Sequence, residues 1–161
     1  MIKKLRKSKG FTLVELLIVI IIIGILAGMM MLSSGAATDK AEATKIVSDL
    51  RNIKAACIMY YADNNAWPSG DLTLSGTPTG VAKEINKYLD TVPAVGYKVV
   101  DTNGPLVAGY VNGTKITAGV QSKLATMAQN AGLYNEPPTS GDVATGPNYT
   151  TGTTVYMIIK K

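Results

Sequence analysis

One acidic side chain stands inside the longest apolar run of this sequence. Glu15 is the only charged residue between Phe11 and Leu32, and Gly10 stands five residues before it. A charged side chain at the centre of a membrane-spanning helix costs roughly 2.5–3.5 kcal/mol on insertion scales. Glu15 therefore needs a cation or hydrogen-bond donors close by, and that need indicates a function beyond membrane anchoring.

The rest of the composition offers little catalytic chemistry. The 161 residues include no histidine and a single cysteine, Cys57. Histidine is the commonest general base and metal ligand, and one cysteine cannot form an intrachain disulfide. We expect isolated carboxylates such as Asp101, Glu136 and Asp142 to serve in loop solubility and capping. The sequence therefore predicts a protein that is not an enzyme and has no cofactor or metal site.

One acidic and amide cluster leaves two interpretations open. Asp63, Asn64, Asn65 and Asp71 carry the oxygen ligands that calcium prefers. Their spacing matches no calcium loop, whereas a polar run followed by Pro68 is typical of a helix end. We favour the helix end.

The net charge of +5 is confined to one end of the chain. Residues 1–10 contain five basic residues and no acid, and the remainder holds 11 basic and 11 acidic residues. A basic end before an apolar run is the pattern that keeps an N-terminus in the cytoplasm. The charge therefore gives no reason to predict nucleic-acid binding.

The apolar run from Phe11 to Leu32 is long enough to cross a membrane. Its 22 residues would form a helix of about 33 Å, against a hydrocarbon core of about 30 Å. A cleaved secretory signal has a shorter apolar region, of about 7–15 residues. A plain signal anchor would leave Glu15 unexplained, and a lipoprotein signal would need a cysteine after the run.

The segment Lys9-Gly10-Phe11-Thr12-Leu13-Val14-Glu15-Leu16 resembles the class III signal of the type IV pilin superfamily. This superfamily includes pilins, type II secretion pseudopilins and competence pilins. Its pattern is a basic leader, a glycine, Phe-Thr-Leu, an apolar residue, a glutamate and an apolar helix. The resemblance covers residues 1–60 at the level of sequence and only the architecture beyond.

The resemblance implies processing and assembly. A prepilin peptidase would cleave after Gly10, and the new N-terminal Phe11 would be N-methylated. Glu15 would then pair with the Phe11 amine of a neighbouring subunit, although residues four apart on one helix also face each other. The partners implied are the lipid bilayer, other filament subunits, minor pilins or pseudopilins, a membrane platform protein and an assembly ATPase complex.

We predict an α+β fold, in which a long N-terminal helix packs on a small antiparallel sheet with one inserted short helix. The predicted organisation is a leader at 1–10, a transmembrane helix and polymerisation segment at 11–32, an amphipathic continuation at 33–62 and a β-rich head at 63–161. The continuation places apolar residues three or four apart. These are Ala43, Ile46, Leu50, Ile53, Cys57 and Tyr60 or Tyr61.

Turn residues divide the head into shorter elements. The pattern predicts helices at 81–89 and 121–131, exposed loops at 68–80 and 135–152, and an inner strand at 153–159. Strands at 97–100, 106–111 and 115–117 are expected to form a meander, with a hairpin at Asn112-Gly113. We expect Trp67 to plug the core, Tyr60, Tyr61 and Tyr156 to contact the core or spine, and Tyr134 and Tyr149 to be exposed.

The sequence departs from the superfamily at Leu32, where many members carry a helix-kinking proline. Glycine weakens a helix by about 1 kcal/mol relative to alanine. Because the proline is missing, we expect a straighter free helix. Because the glycines weaken it, we expect any melting on assembly to be centred on Gly24–Gly28.

Three functions are compatible with these features. The first is a structural subunit of a type IV pilus, in the cytoplasmic membrane with its head outside and then in an extracellular fibre. The second is a pseudopilin of a periplasmic type II secretion piston, or a competence pilin. The third is a membrane-anchored enzyme. The loops rich in glycine and threonine favour the pilus subunit.

Overall fold

The computed structural model describes residues 10–93, 95–102, 104–111 and 113–161. The chain divides into two compact units, residues 1–37 and residues 38–161. Within the described residues, the second unit contains a five-stranded sheet, three short helices and the later part of the long helix.

A single helix occupies the N-terminal part of the described chain. Helix α1 runs from Leu13 to Asn64, 52 residues, which confirms the predicted helix at 11–62. It passes through Gly24, Gly28 and Gly35 without interruption, because no proline removes a backbone donor there. It ends at Asn64, and the next residue, Asn65, adopts a left-handed conformation with φ 51°. The predicted helix end at this position is confirmed.

The head is built on one antiparallel sheet with strand order β1-β2-β3-β5-β4. Strand β5 lies between two neighbours, as its nearly continuous apolar run predicted. The strands are β1 Leu72–Thr73, β2 Tyr97–Asp101, β3 Leu106–Tyr110, β4 Leu133–Tyr134 and β5 Val155–Lys160. The short helices are α2 Gly80–Asn86, α3 Ala118–Ala131 and α4 Ser140–Thr145.

The second half of α1 forms one wall of the core. Its predicted stripe is confirmed from Ala43 to Cys57, where Ile46, Leu50 and Ile53 are almost completely buried. Burial raises the pKa of the Cys57 thiol to about 12, so this cysteine is a packing residue rather than a nucleophile. The same core includes side chains from the sheet and α3, among them Val99, Ala108, Met157, Val120 and Leu124.

The predicted strand at 115–117 is wrong. Ile116 is buried, and the Thr117 hydroxyl accepts a hydrogen bond from the Val120 amide at 3.3 Å as the N-cap of α3. Helix capping therefore uses the residues that a third meander strand would need. Strand β3 pairs with β5 instead. The predicted hairpin depended on Asn112, which lies outside the described residues.

The two segments predicted as exposed loops contain regular structure. Residues 68–80 include β1, and residues 135–152 include α4 and the fully buried Pro138. Tyr134 and Tyr149, predicted to be exposed, are 5% and 2% exposed. Tyr149 is inserted into the core and its hydroxyl donates to the Gly152 carbonyl at 2.8 Å. That bond satisfies the polar group and makes the burial possible.

The outer face of the sheet carries a second, smaller apolar cluster of Val100, Val107, Tyr134 and Tyr156. The Tyr156 ring lies over Gly109, where an added Cβ would come within 2.6 Å of it. Hydrogen bonds rather than a disulfide close the C-terminal loop at the end of β4. Asn135 accepts from the Thr150 amide at 3.0 Å and the Thr154 hydroxyl at 2.9 Å, and donates to Asn148 at 3.2 Å.

Acidic side chains of α1 contact the head along one flank of the helix. Asp49 accepts a hydrogen bond from the Tyr97 hydroxyl at 2.8 Å. Burial, followed by this hydrogen bond, raises the pKa of Tyr97. The others are Asp39 with Thr117 at 3.2 Å, Glu42 with Lys115 at 3.6 Å and Asp63 with Tyr88 at 2.5 Å.

The tyrosines and the tryptophan near the end of α1 only partly match their predicted places. Trp67 is half-buried and stacks on Tyr61, with ring centroids 4.4 Å apart. Tyr61 itself is 37% exposed, whereas Tyr60 packs partly and Tyr156 is buried. Trp67 therefore covers the edge of the core rather than filling its centre.

Substitution of Leu50 by alanine is expected to lower the free energy of unfolding of the head by about 2–5 kcal/mol, because it leaves a cavity at a fully buried position. Met59→Ala is the matched control on the same helix. Met59 is half exposed, so its loss should cost about 0.5 kcal/mol or less. Denaturant titration of the full chain in detergent, followed by Trp67 fluorescence, measures both changes. Equal losses for the two variants would contradict the assigned core.

Candidate processing and assembly site

The peptide bond between Gly10 and Phe11 lies outside the helix. Gly10, Phe11 and Thr12 precede the first helical residue, Leu13, and Phe11 is 92% exposed. A Cβ added at Gly10 would meet no atom within 4 Å. Packing within the described chain therefore does not require glycine at this position. A requirement for glycine would have to come from a processing enzyme that holds this backbone.

Thr12 and Glu15 form a reciprocal cap at the start of α1. Glu15 Oε2 accepts hydrogen bonds from the Thr12 amide at 2.7 Å and from the Thr12 hydroxyl at 2.8 Å. The Thr12 hydroxyl in turn accepts from the Glu15 amide at 3.2 Å. This capping box satisfies backbone donors that the first helical turn leaves without partners.

The capping role of Thr12 was missed at the level of sequence. The signal was available, because Thr-Leu-Val-Glu before an apolar run fits the Ser/Thr-x-x-Glu pattern of a capping box. Thr139 and Asp142 make the same arrangement at α4, with two 2.8 Å bonds. These bonds lower the pKa of Asp142, and they confirm its predicted capping role.

No cation among the described residues compensates the charge of Glu15. Its two donors are the neutral amide and hydroxyl of Thr12, and both bind the same carboxylate oxygen, Oε2. Among the described residues the structure places Thr12, and not the backbone of Phe11, in hydrogen-bonding contact with Glu15. The Oε1 atom is thus available to a further donor at the exposed start of the helix.

The helix that follows this cap is apolar on all sides. An 18-residue stretch of α1 has a mean hydropathy of 2.9 with none of it buried, and its length and composition suffice for a membrane span. The exposed large side chains include Leu16, Leu17, Ile18, Val19, Ile20, Ile21, Ile22, Ile23, Ile25 and Leu26. A helix that is apolar all round requires lipid or other apolar helices as its surroundings.

The other predicted polar cluster is used within the head. Asp63 accepts from Tyr88, the Asn64 amide group donates to the Tyr60 carbonyl at 2.9 Å, and Asp71 lies 4.0 Å from Lys98. Within the described ranges, no three or more histidine, cysteine, aspartate or glutamate side chains are grouped to hold a metal ion.

Family comparisons match the N-terminal segment and the region that follows it, up to the end of β3. Residues 5–31 match the prokaryotic N-terminal methylation motif, and residues 37–110 match the PilW C-terminal family. The chain is 31% identical over 125 residues to the fimbrial protein EcpC of Eikenella corrodens, covering 77% of this chain and 76% of that protein. The chain belongs to the type IV pilin and pseudopilin superfamily.

Other members of the superfamily match a shorter part. Type II secretion system core protein G of Pectobacterium carotovorum is 37% identical over 93 residues, covering 56% of this chain and 57% of the relative. The Vibrio cholerae protein of the same description is 38% identical over 77 residues, covering 48% and 53%. The chain thus spans little more than half the length of these two relatives.

A solved structure supports the fold. The major type IV pilin PilA1 from Clostridium difficile has a TM-score of 0.55 and 20% identity, covering 78% of this chain and 99% of that one. The predicted α+β fold, a long N-terminal helix with a small antiparallel sheet, is confirmed.

Thr12→Val is expected to weaken the first turn of α1 by about 1 kcal/mol, because it removes the hydroxyl that caps the Glu15 amide. Amide hydrogen exchange of the full chain in detergent micelles should show faster exchange confined to the first turn. Thr12→Ser keeps the hydroxyl and serves as the matched control. Unchanged exchange in Thr12→Val would show that the capping box does not hold this turn.

Proposed function

We propose that this protein is a structural subunit of a type IV pilus, processed after Gly10 and assembled into a helical filament through α1. The observation that carries the proposal is the glutamate at the capped start of an exposed apolar helix, in a chain with the pilin fold. The proposed segments are a leader at 1–10, a membrane and polymerisation segment at 11–32, a spine at 33–62 and a head at 63–161.

Processing would create a cation at Phe11 that can pair with Glu15. Cleavage between Gly10 and Phe11 by a prepilin peptidase leaves an amine on Phe11, which N-methylation modifies while its positive charge remains. The Oε1 atom of Glu15 is available to such an amine on a neighbouring subunit, while Oε2 stays with Thr12. Two charges that are each costly in a lipid environment become less costly as a pair.

The apolar surface of α1 suits a subunit that changes its surroundings. In the cytoplasmic membrane, with the head outside, lipid would cover the side chains from Leu13 to Met31. In the filament the helices of other subunits would cover the same surface. Besides further copies, minor pilins, the peptidase, a platform protein and an assembly ATPase are the partners this function needs.

We assign the head a structural rather than a catalytic role. Several of its carboxylates are engaged in contacts that hold the fold together, as with Asp49 on Tyr97 and Asp142 on Thr139. A groove of about 470 Å³ beside α1 is lined by apolar side chains such as Met59, Leu89 and Val92, together with the polar side chains Lys45, Asp49 and Asp90.

A second candidate is a pseudopilin of a type II secretion system. It is favoured by the similarity of this chain to core protein G of several species. Deletion of the gene distinguishes the two functions. Loss of surface filaments seen by electron microscopy, with protein secretion intact, supports the pilus subunit. Loss of secretion without loss of filaments supports the pseudopilin.

Gly10→Val is expected to leave the leader attached, because a branched side chain would occupy the backbone position that the peptidase must approach. Mass spectrometry of the membrane fraction should detect the uncleaved chain instead of one that begins at methylated Phe11. Gly35→Val is the control, since Gly35 is also exposed with open space around it. Normal processing of Gly10→Val would overturn the assigned cleavage site.

Glu15→Gln separates charge pairing from capping. Glutamine also serves in a capping box, so this variant should keep the first turn of α1 and insert normally into the membrane. It should nevertheless lose most of its filaments, because it cannot attract the Phe11 amine. Sheared filaments quantified against membrane-inserted subunit measure the effect. Normal filament yield in Glu15→Gln, with loss only in Glu15→Ala, would assign Glu15 to capping alone.

A further inference from the structure

A basic groove runs along one flank of α1 in the head. Two adjoining cavities of about 610 and 320 Å³ share Arg51, Asn130 and Ala131 as lining residues. Lys54 and Lys161 add two further basic side chains, and the apolar lining comes from residues such as Val47, Met127, Met157 and Ile159. Among the described residues no aspartate or glutamate lines either cavity.

The cations of this basic groove are not neutralised within the described head. The ion pairs found there join Lys87 to Glu84, Lys98 to Asp71 and Lys115 to Glu42. Arg51 and Lys54 take part in none of them, and Arg51 is exposed. A cationic groove with an apolar floor suits an occupant that combines a carboxylate with an apolar side chain.

A segment of that composition projects from the opposite flank of the head. Residues 88–93 follow α2 and form the outer wall of the 470 Å³ groove, opposite Asp49, Asn52 and Met59 of α1. Within it Asp90 is exposed and makes no ion pair among the described residues. Val92, two residues further on, is 56% exposed although it is apolar.

Helix geometry keeps these two surfaces apart in one copy. Asp49 faces the 88–93 segment and Arg51 faces the basic groove, and residues two apart on an α-helix point about 200° apart. The 88–93 segment therefore lies on the side of α1 away from the basic groove of the same head. A contact between two different surfaces of identical subunits is heterologous, and it continues into an open fibre when its rotation does not close.

We propose that the basic groove receives the 88–93 segment of a neighbouring copy, with Asp90 against Arg51 and Val92 on the apolar floor. This contact rests on the proposed filament function and adds a head-to-head interface to the assembly through α1. Because each copy presents one groove and one segment, the contact between heads repeats in a single direction along the filament.

Charge reversal tests the pairing. Arg51→Glu and Asp90→Arg are each expected to reduce filament yield at least about tenfold, since each places like charges together. The variant that carries both substitutions should recover most of that loss. Lys83→Glu, an exposed charge reversal that lines neither surface, should assemble normally. Normal yield in both single variants, or a double variant no better than either, overturns the proposal.

Cross-linking tests the geometry independently of filament yield. Filaments of a full chain with both Arg51→Cys and Asp90→Cys are treated with a short bis-maleimide, because direct disulfides need Cα atoms within about 7 Å. A ladder of multimers is expected from the double variant, and none from either single variant. Cys57 is buried in the native head, so the unmodified chain is a clean background.

The outcomes separate this contact from the proposed function. If the double cysteine variant forms filaments at the wild-type yield but gives no ladder, the proposed contact is wrong. The proposed function as a pilus subunit then still stands. A doubly linked dimer without larger species indicates a closed two-fold contact and also overturns it. So does an Arg51→Glu variant that assembles normally but loses binding to mixed-sequence double-stranded DNA, since the groove would then serve a nucleic acid.

Discussion

The head depends on burial of one stripe of α1. Ile46, Leu50 and Ile53 are almost completely buried, and they share one apolar cluster with residues of β2, β3, β5 and α3. A small sheet with one apolar face needs such a partner to be stable. The acids of the neighbouring flank then fix the rotation of the helix against the head, since Asp49 and Asp63 each accept a tyrosine hydroxyl. Rotation of α1 about its axis would break both kinds of contact together.

The same helix must satisfy a different requirement before it reaches the head. From Leu13 to Met31 its large apolar side chains are exposed on all sides, so its stability there depends on lipid or on other helices. The start of this part has no packing to hold it, and the Thr12–Glu15 capping box provides a local substitute. Glu15 is thereby kept in a defined position by neutral donors, and no described cation lies beside it. A fixed, charged carboxylate is better suited to receive a partner's amine than one on a frayed helix end.

Much of the fold could be predicted because its elements are long or strongly periodic. Helices α1, α2 and α3 and strands β2, β3 and β5 lie where apolar spacing placed them. The two-residue strands β1 and β4 carry no such signal, because they exist only through pairing with β2 and β5. The strand expected at 115–117 does not form, because Thr117 caps α3. Tyr149 is buried because its loop folds back onto the core. The local composition does not reveal that return. At the N-terminus, Gly10, Phe11 and Glu15 were identified from the sequence and remain predictions as functional residues, whereas Thr12 was overlooked.

The shortness of the two outer strands has a consequence for contacts between copies of this chain. Unpaired strand edges are templates for pairing with another chain, and this leads to aggregation. Here the outermost strands, β1 and β4, are only two residues long. The outer side of β4 is also occupied, since the Leu133 carbonyl accepts from the amides of Asn148 and Tyr149 at 3.1 Å. Heads held at high local concentration would therefore find little free backbone with which to extend one another's sheets. Protection against amyloid-like association is built into the edges of the fold.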